Sequence, residues 1–253
     1  MRTVGIDLAA EPDKTAVAVI EWEARSARIA DLRLGASDAD IVAVVTPADR
    51  VGIDAPFGWP DAFVDFVAAH HRGDPVSVDL GTKAGRQPLV RRHTDRVVHE
   101  VTGIVPLSVS ADLIAHVALR CAGLLGELAV AGLDVGRVVG SVVETYPAAA
   151  LKLWGLPSRG YKGVANSARL ADLVSLFEAA TPGFDFGPYR DLCTASDHAF
   201  DAVVAGTIAR AVDLGRTRLP VADAVDVARR EGWIHLPGGT PGDLLRGACA
   251  DSE

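Results

Sequence analysis

Cysteine is scarce: Cys121, Cys193 and Cys249 are odd in number, far apart and without metal-ligand spacing. Neither a disulfide framework nor a zinc site is indicated, and a reducing, cytoplasmic setting is expected. No leader is expected, because Met1-Arg2-Thr3 runs straight into a strand without a charged n-region, an apolar h-region and a cleavage site in order. No uninterrupted membrane-length apolar run occurs: the segment Ala111 to Ala131 carries Asp112, His116, Arg120 and Glu127, which marks a core helix. Positive charge is not in excess either. A net charge of -8 counts against a broad, sequence-independent grip on nucleic acid, although it leaves room for a local basic groove. The chain also lacks a Walker-type loop, a G-x-S-x-G elbow, a dinucleotide fingerprint, long repeats and low-complexity tracts.

What is present is a core-forming composition, 49% hydrophobic over 253 residues, and one tetrapeptide spelled twice. Val4-Gly5-Ile6-Asp7 and Val51-Gly52-Ile53-Asp54 each close a short apolar run with a carboxylate. The residues that follow each Asp read as a strand giving way to a loop. After Asp7, Thr15 to Glu23 is a β-branched strand and Ala27 to Leu34 a third, edge-like one, so the first three strands form an antiparallel meander. Ser37 caps a helix from Asp38 to about Val45, and Arg50 to Asp54 is the fourth strand. That helix is a crossover, which permits the fourth strand to lie parallel to the first and brings Asp7 beside Asp54. Like charges so close share a proton or bind a cation.

The predicted architecture is an α/β domain over residues 1–237, with a five-stranded mixed sheet. A helical and loop insertion at 56–110 lies over the carboxylate end of the sheet, and a flexible tail covers 238–253. Within the insertion, helices are expected over 61–70 and 91–101, with loop over 72–90. Ser110 is expected to cap the helix 111–131, and Val138 to Glu144 is the fifth strand. Helices follow over 147–153, 167–180, 196–213 and 221–230. Lys83, Arg86, Arg91, Arg92 and Arg96 form one basic stretch, read either as a phosphate-binding segment or as an ordinary solvated face.

Asp197 and Asp201 are four apart on the helix 196–213, hence on one face, with Phe200, Val203, Val204 and Ile208 packing that helix on the sheet. Asp197 has a second account, since an acidic residue after the capping Ser196 suits the helix dipole. Two identical strand ends and a helix carboxylate pair suggest an oxygen-only site for magnesium or manganese. Two such ions about 4 Å apart can activate water and stabilise a leaving oxygen in phosphodiester cleavage. Glu144 is a candidate outer ligand.

These residues resemble a known family. The order β-β-β-α-β, an Asp in the first strand, an acid closing the fourth and Asp201-Ala202 on a late helix look like the ribonuclease H-like superfamily, nearest its Holliday-junction resolvase branch. More narrowly, Gly52-Ile53-Asp54-Ala55-Pro56-Phe57-Gly58, Arg92-His93-Thr94-Asp95, Glu144-Thr145-Tyr146-Pro147, Tyr161-Lys162 and Glu231-Gly232-Trp233-Ile234 resemble the family of unknown function numbered 429, described as predicted nucleases of that fold. The resemblance implies a metal-bridging Asp7, a second ligand in Asp54, where many of these enzymes carry Glu, and a helix ligand in Asp201, with or without Asp197. Physical inference adds Lys162, Arg91, Arg92, Lys83 and Arg86 as phosphate contacts. The expected partner is DNA or RNA, with no membrane. Two competing expectations are a non-catalytic scaffold that binds a protein or a small anion through 56–110, and an actin-like phosphotransferase; the missing glycine-rich loop counts against the latter.

Overall fold

The first three strands, β1 (Arg2–Asp7), β2 (Ala16–Trp22) and β3 (Ala27–Leu34), form the expected antiparallel meander. The computed structural model describes residues 1–247. Helix α1 (Asp38–Val45) starts on a capping box: Ser37 Oγ accepts from the Asp40 N–H at 3.2 Å, and Asp40 Oδ2 accepts from the Ser37 N–H at 3.0 Å. The chain then crosses to β4 (Arg50–Asp54), which pairs parallel with β1. The repeated tetrapeptides lie in register, Gly5 opposite Gly52 and Asp7 opposite Asp54.

The remaining elements are α2 (Asp61–Arg72), α3 (Lys83–Val90), α4 (His93–Thr102), α5 (Ile114–Val130), β5 (Val142–Glu144), α6 (Pro147–Leu153), α7 (Ser167–Ala180), β6 (Phe184–Asp185), α8 (Arg190–Ala195), α9 (Asp197–Asp213) and α10 (Val225–Glu231). The described residues thus form an α/β fold around one mixed sheet of order β5-β4-β1-β2-β3-β6.

Strand alternation decides which face does what. Val4, Ile6, Val51 and Ile53 pack with Ile41 and Val45 of α1 and Cys121, Leu124 and Leu128 of α5. On the opposite face, Phe200, Val203, Val204 and Ile208 of α9 join Ala18, Ile20, Phe177 and Phe184 in a second core. Gly5 and Gly52 face α9, and both positions must lack a side chain. A Cβ on Gly5 would stand 1.9 Å from Ala202 O and 2.1 Å from Gly206 N; one on Gly52 would stand 2.5 Å from Ala205 O. The glycines therefore let α9 lie directly on the two strand backbones.

The structure corrects several expectations. The sheet has six strands, not five, because the two-residue β6 pairs with Ala27 and Arg28; so short a strand carries no period to read. The fifth strand is confined to Val142–Glu144, since the chain turns just before it, with the Gly140 N–H bonded to Gly136 O at 2.9 Å. Residues 83–90 form a helix where loop was expected: Thr82 caps it by accepting from the Gly85 N–H at 3.0 Å, and Pro88 lies inside it. Ser110 does not cap α5, which begins at Ile114; its hydroxyl donates to Leu89 O at 2.6 Å.

The chain beyond Gly238 is not a loose tail as far as Leu245. Residues Pro241–Leu245 form a 3₁₀ turn, and Leu244 and Leu245 join the α9 core. Cys249, and the rest of the expected tail from 248 onward, lie outside the described residues. Among the described residues no helix is long and apolar enough to cross a membrane.

Candidate metal centre

The register of β1 against α9 builds the centre. Two strand residues advance about 6.6 Å, close to the roughly 6 Å of four helical residues. A packing that sets Ala202 and Gly206 over Gly5 therefore sets the first turns of α9 over Asp7. Asp7, Asp54 and Asp201 each place a carboxylate oxygen within 4.8 Å of the others. Asp7 and Asp201 are buried and Asp54 partly so.

The three carboxylates are not equivalent. Asp201 Oδ1 accepts from the Tyr161 hydroxyl at 2.8 Å, and its Oδ2, wholly buried, meets Lys162 Nζ at 2.6 Å without other partners among the described residues. Asp7 Oδ2 lies 2.5 Å from His198 Nδ1. The Asp54 carboxylate accepts no hydrogen bond among the described residues, and burial, then the Asp7 charge, push its pKa well above the usual carboxylate range. Burial also raises the Asp201 carboxyl, against the opposing pull of Lys162. The hydrogen bond to Asp7 raises His198. Partial desolvation works against the Lys162 charge, but Asp201, Asp54 and Asp7 outweigh it and keep the ammonium protonated. Its side chain remains 53% exposed, so that ion pair is partly screened by solvent.

The other residues singled out in the sequence lie elsewhere. Asp197 stands at the start of α9, where its Oδ2 accepts the Gly163 N–H at 3.1 Å, and it is outside the trio. Glu144 is not a free outer ligand. Its Oε1 accepts from Arg92 Nη2 at 2.7 Å, and its Oε2 accepts from Arg92 Nη1 at 3.0 Å and from the Phe57 N–H at 3.1 Å. Arg92, expected as a phosphate contact, is buried between Glu144 and Asp95, whose Oδ1 it meets at 2.9 Å. A guanidinium deep in the protein has to be paired in this way.

Arg91 donates to Pro106 O, and with Lys83, Gln87, Arg96 and His99 it lines a cleft of about 630 Å³ that shares no wall residue with the cavity at the carboxylates. Arg86, on α3, donates to Leu80 O at 2.6 Å.

Two neighbours of these residues were given no role from sequence. His198 is three residues before Asp201, a spacing that shares a helix face and could have flagged it. Glu231 acts as a cap supplied from a distant element: it accepts the Asp61 N–H at 2.8 Å and the His93 N–H at 2.5 Å, the first residues of α2 and α4. Glu231 ends α10, so these bonds tie the first residues of α2 and α4 to that distant helix.

A family model described as "Protein of unknown function (DUF429)" matches residues 5–225, most of the chain. The chain belongs to this family. No curated protein matches it, and no solved structure does.

Proposed function

We propose that this member of the DUF429 family is a divalent-metal-dependent phosphodiesterase, a nuclease built on a ribonuclease H-like fold. The observation that carries this reading is the convergence of Asp7, Asp54 and Asp201, from two parallel strands and a helix, within 4.8 Å. The donor set fits magnesium or manganese. All donors are oxygens, Asp54 is without a hydrogen-bond partner among the described residues, and Asp201 Oδ2 has only the Lys162 ammonium. When bound, such an ion would polarise the phosphate and lower the pKa of the attacking water.

The chain supplies the rest. Water adds to phosphorus while the ester P–O bond breaks; one proton leaves the water and one is taken up at the departing oxygen. The imidazole of His198, held on Asp7, is a side chain beside the trio suited to exchange a proton near neutral pH. The protonated Lys162, half exposed beside Asp201, is placed to meet a phosphate oxygen.

One observation favours the scaffold reading: Lys162 already neutralises Asp201, as a resident cation would. The two readings part in one experiment, hydrolysis of a dye-labelled oligonucleotide with magnesium, manganese or chelator. The nuclease reading expects metal-dependent cleavage and a loss of at least about a hundredfold in Asp7→Asn, in line with the removal of a group that stabilises transition-state charge. Cleavage that survives chelation or the substitution overturns the metal-dependent assignment, and the absence of both cleavage and manganese binding leaves the scaffold.

A further inference from the structure

The carboxylates do not stand on an open ridge. Asp7 and Asp54 line a cavity of about 270 Å³, with Arg92, Glu144, Thr145 and Lys162 as its other polar residues and Leu8, Pro56, Leu107, Ile114 and Ile234 beside the single aromatic ring of Tyr146. A groove that follows only a phosphate backbone would be lined by cations, yet the cations on this wall are Lys162 and the fully paired Arg92. Among the residues that line this cavity, Thr145 carries a polar atom without a partner. Thr145 is 2% exposed, and its Oγ1 makes no hydrogen bond among the described residues. The cost of burying a hydroxyl unsatisfied means such atoms are rare outside sites that supply a partner on binding.

Resting on the phosphodiesterase reading, we infer that this cavity takes one unstacked nucleoside beside the scissile phosphate, so that the substrate is single-stranded or frayed nucleic acid rather than intact duplex. The apolar residues of the wall and the Tyr146 ring suit the face of a base. The Thr145 hydroxyl is the group that a base edge or sugar oxygen would satisfy. The volume lies just under the roughly 300 Å³ lower bound for sites of small organic ligands, which admits one nucleoside and excludes a base pair. In a duplex, the nucleotide next to the phosphate would have to leave its stack to enter. Leu107, 62% exposed, and Lys162 stand at the solvent side of the cavity, an apolar and a cationic residue together at the mouth.

The test measures binding and cleavage separately. By isothermal titration with magnesium present, thymidine 5′-monophosphate should bind at least about tenfold tighter than 2-deoxyribose 5-phosphate, the equivalent of one well-buried contact. Thr145→Val keeps shape and removes the hydroxyl. It should raise the melting temperature of the free protein, by deleting an unsatisfied buried group, while weakening thymidine 5′-monophosphate binding several-fold. Leu107→Glu should abolish the preference for the base. In cleavage, a single-stranded oligonucleotide should be cut at least about tenfold faster than the same strand in a blunt duplex, given the unstacking the duplex requires. Equal affinity for the two monophosphates, Thr145→Val with unchanged binding, or equal cleavage of both strands and duplex overturns the inference. Base-dependent binding without any cleavage would defeat the phosphodiesterase reading and leave the nucleoside site standing. Metal-dependent cleavage without base-dependent binding would do the reverse.

Discussion

Replacing Asp54 by Asn distinguishes a cation-binding trio from a structural one. The three carboxylate oxygens stand within 4.8 Å of one another, and at an effective dielectric near 20 a fully ionised pair at that separation repels by about 3.5 kcal/mol. Burial and the Asp7 charge raise the Asp54 pKa, which favours its protonated form and so relieves part of this repulsion in the metal-free protein. A folded pKa above the unfolded value of about 3.9 means that the folded state holds this proton more tightly. Its contribution to stability is complete below about pH 4 and is lost as pH rises through the folded pKa. Asn imitates the neutral carboxyl. In chelator near pH 7, Asp54→Asn should therefore melt at or above wild type and should lack this part of the decline with pH.

Magnesium at about a hundred times its dissociation constant should stabilise wild type by about 2.7 kcal/mol. That corresponds to roughly 5–11 °C in a chain of this size, and the Asn variant should gain much less. Asp197→Asn is the control, since Asp197 caps Gly163 outside the trio and its loss should leave the magnesium shift intact. The assay is a pair of melting curves for each protein, in chelator and in magnesium. An equal magnesium shift in Asp54→Asn and wild type, or its loss in Asp197→Asn, refutes the assignment.

Gly5→Ala forces a Cβ to 1.9 Å from the α9 backbone, so denaturant unfolding should show a loss at or above the upper end of the roughly 1–3 kcal/mol of overpacking, with the magnesium shift gone. Gly123→Ala in α5, with open space around it, should instead gain about 0.5–1 kcal/mol. Arg92→Met leaves Glu144 and Asp95 buried without their cation and should cost about 3–5 kcal/mol; a stable variant with a reduced salt slope for nucleic-acid binding would instead make Arg92 a phosphate contact. Burial lowers His235 to about 4, where Thr217 Oγ1 and Val138 O hold its ring at 3.0 Å each. With the folded pKa below the ordinary 6.5, the unfolded chain takes up the proton first. Stability should fall by about 3 kcal/mol as pH drops from 6.5 through 4, a slope that His235→Gln should lack when unfolding is followed against pH.

The pairing of Asp7 with Asp54 was legible because it rests on local rules: a period-2 strand that ends in an acid, written twice, and a crossover helix that makes the second copy parallel to the first. Asp201 was legible for a similar reason, since the apolar stripe of α9 shows which face meets the sheet. The expectations that failed lay where local signals are weak or shared. The polar, proline-containing segment 83–90 carries too little apolar periodicity to announce a helix, and a two-residue strand has none.

Charge alone could not sort the arginines of the basic stretch. Arg92 reads like its neighbours in sequence, yet its partner Glu144 is 52 positions away. His198 meets Asp7 across 191 positions, and Tyr161 meets Asp201 across 40. The chain's local chemistry thus determined the strands, the helix face and the three acids, because alternation and helical period act between near neighbours. Which acids stay free, which cation neutralises which carboxylate, and the cavity beside them were decided only by tertiary structure. A buried charge is paired or left bare by whatever distant segment the packing brings against it.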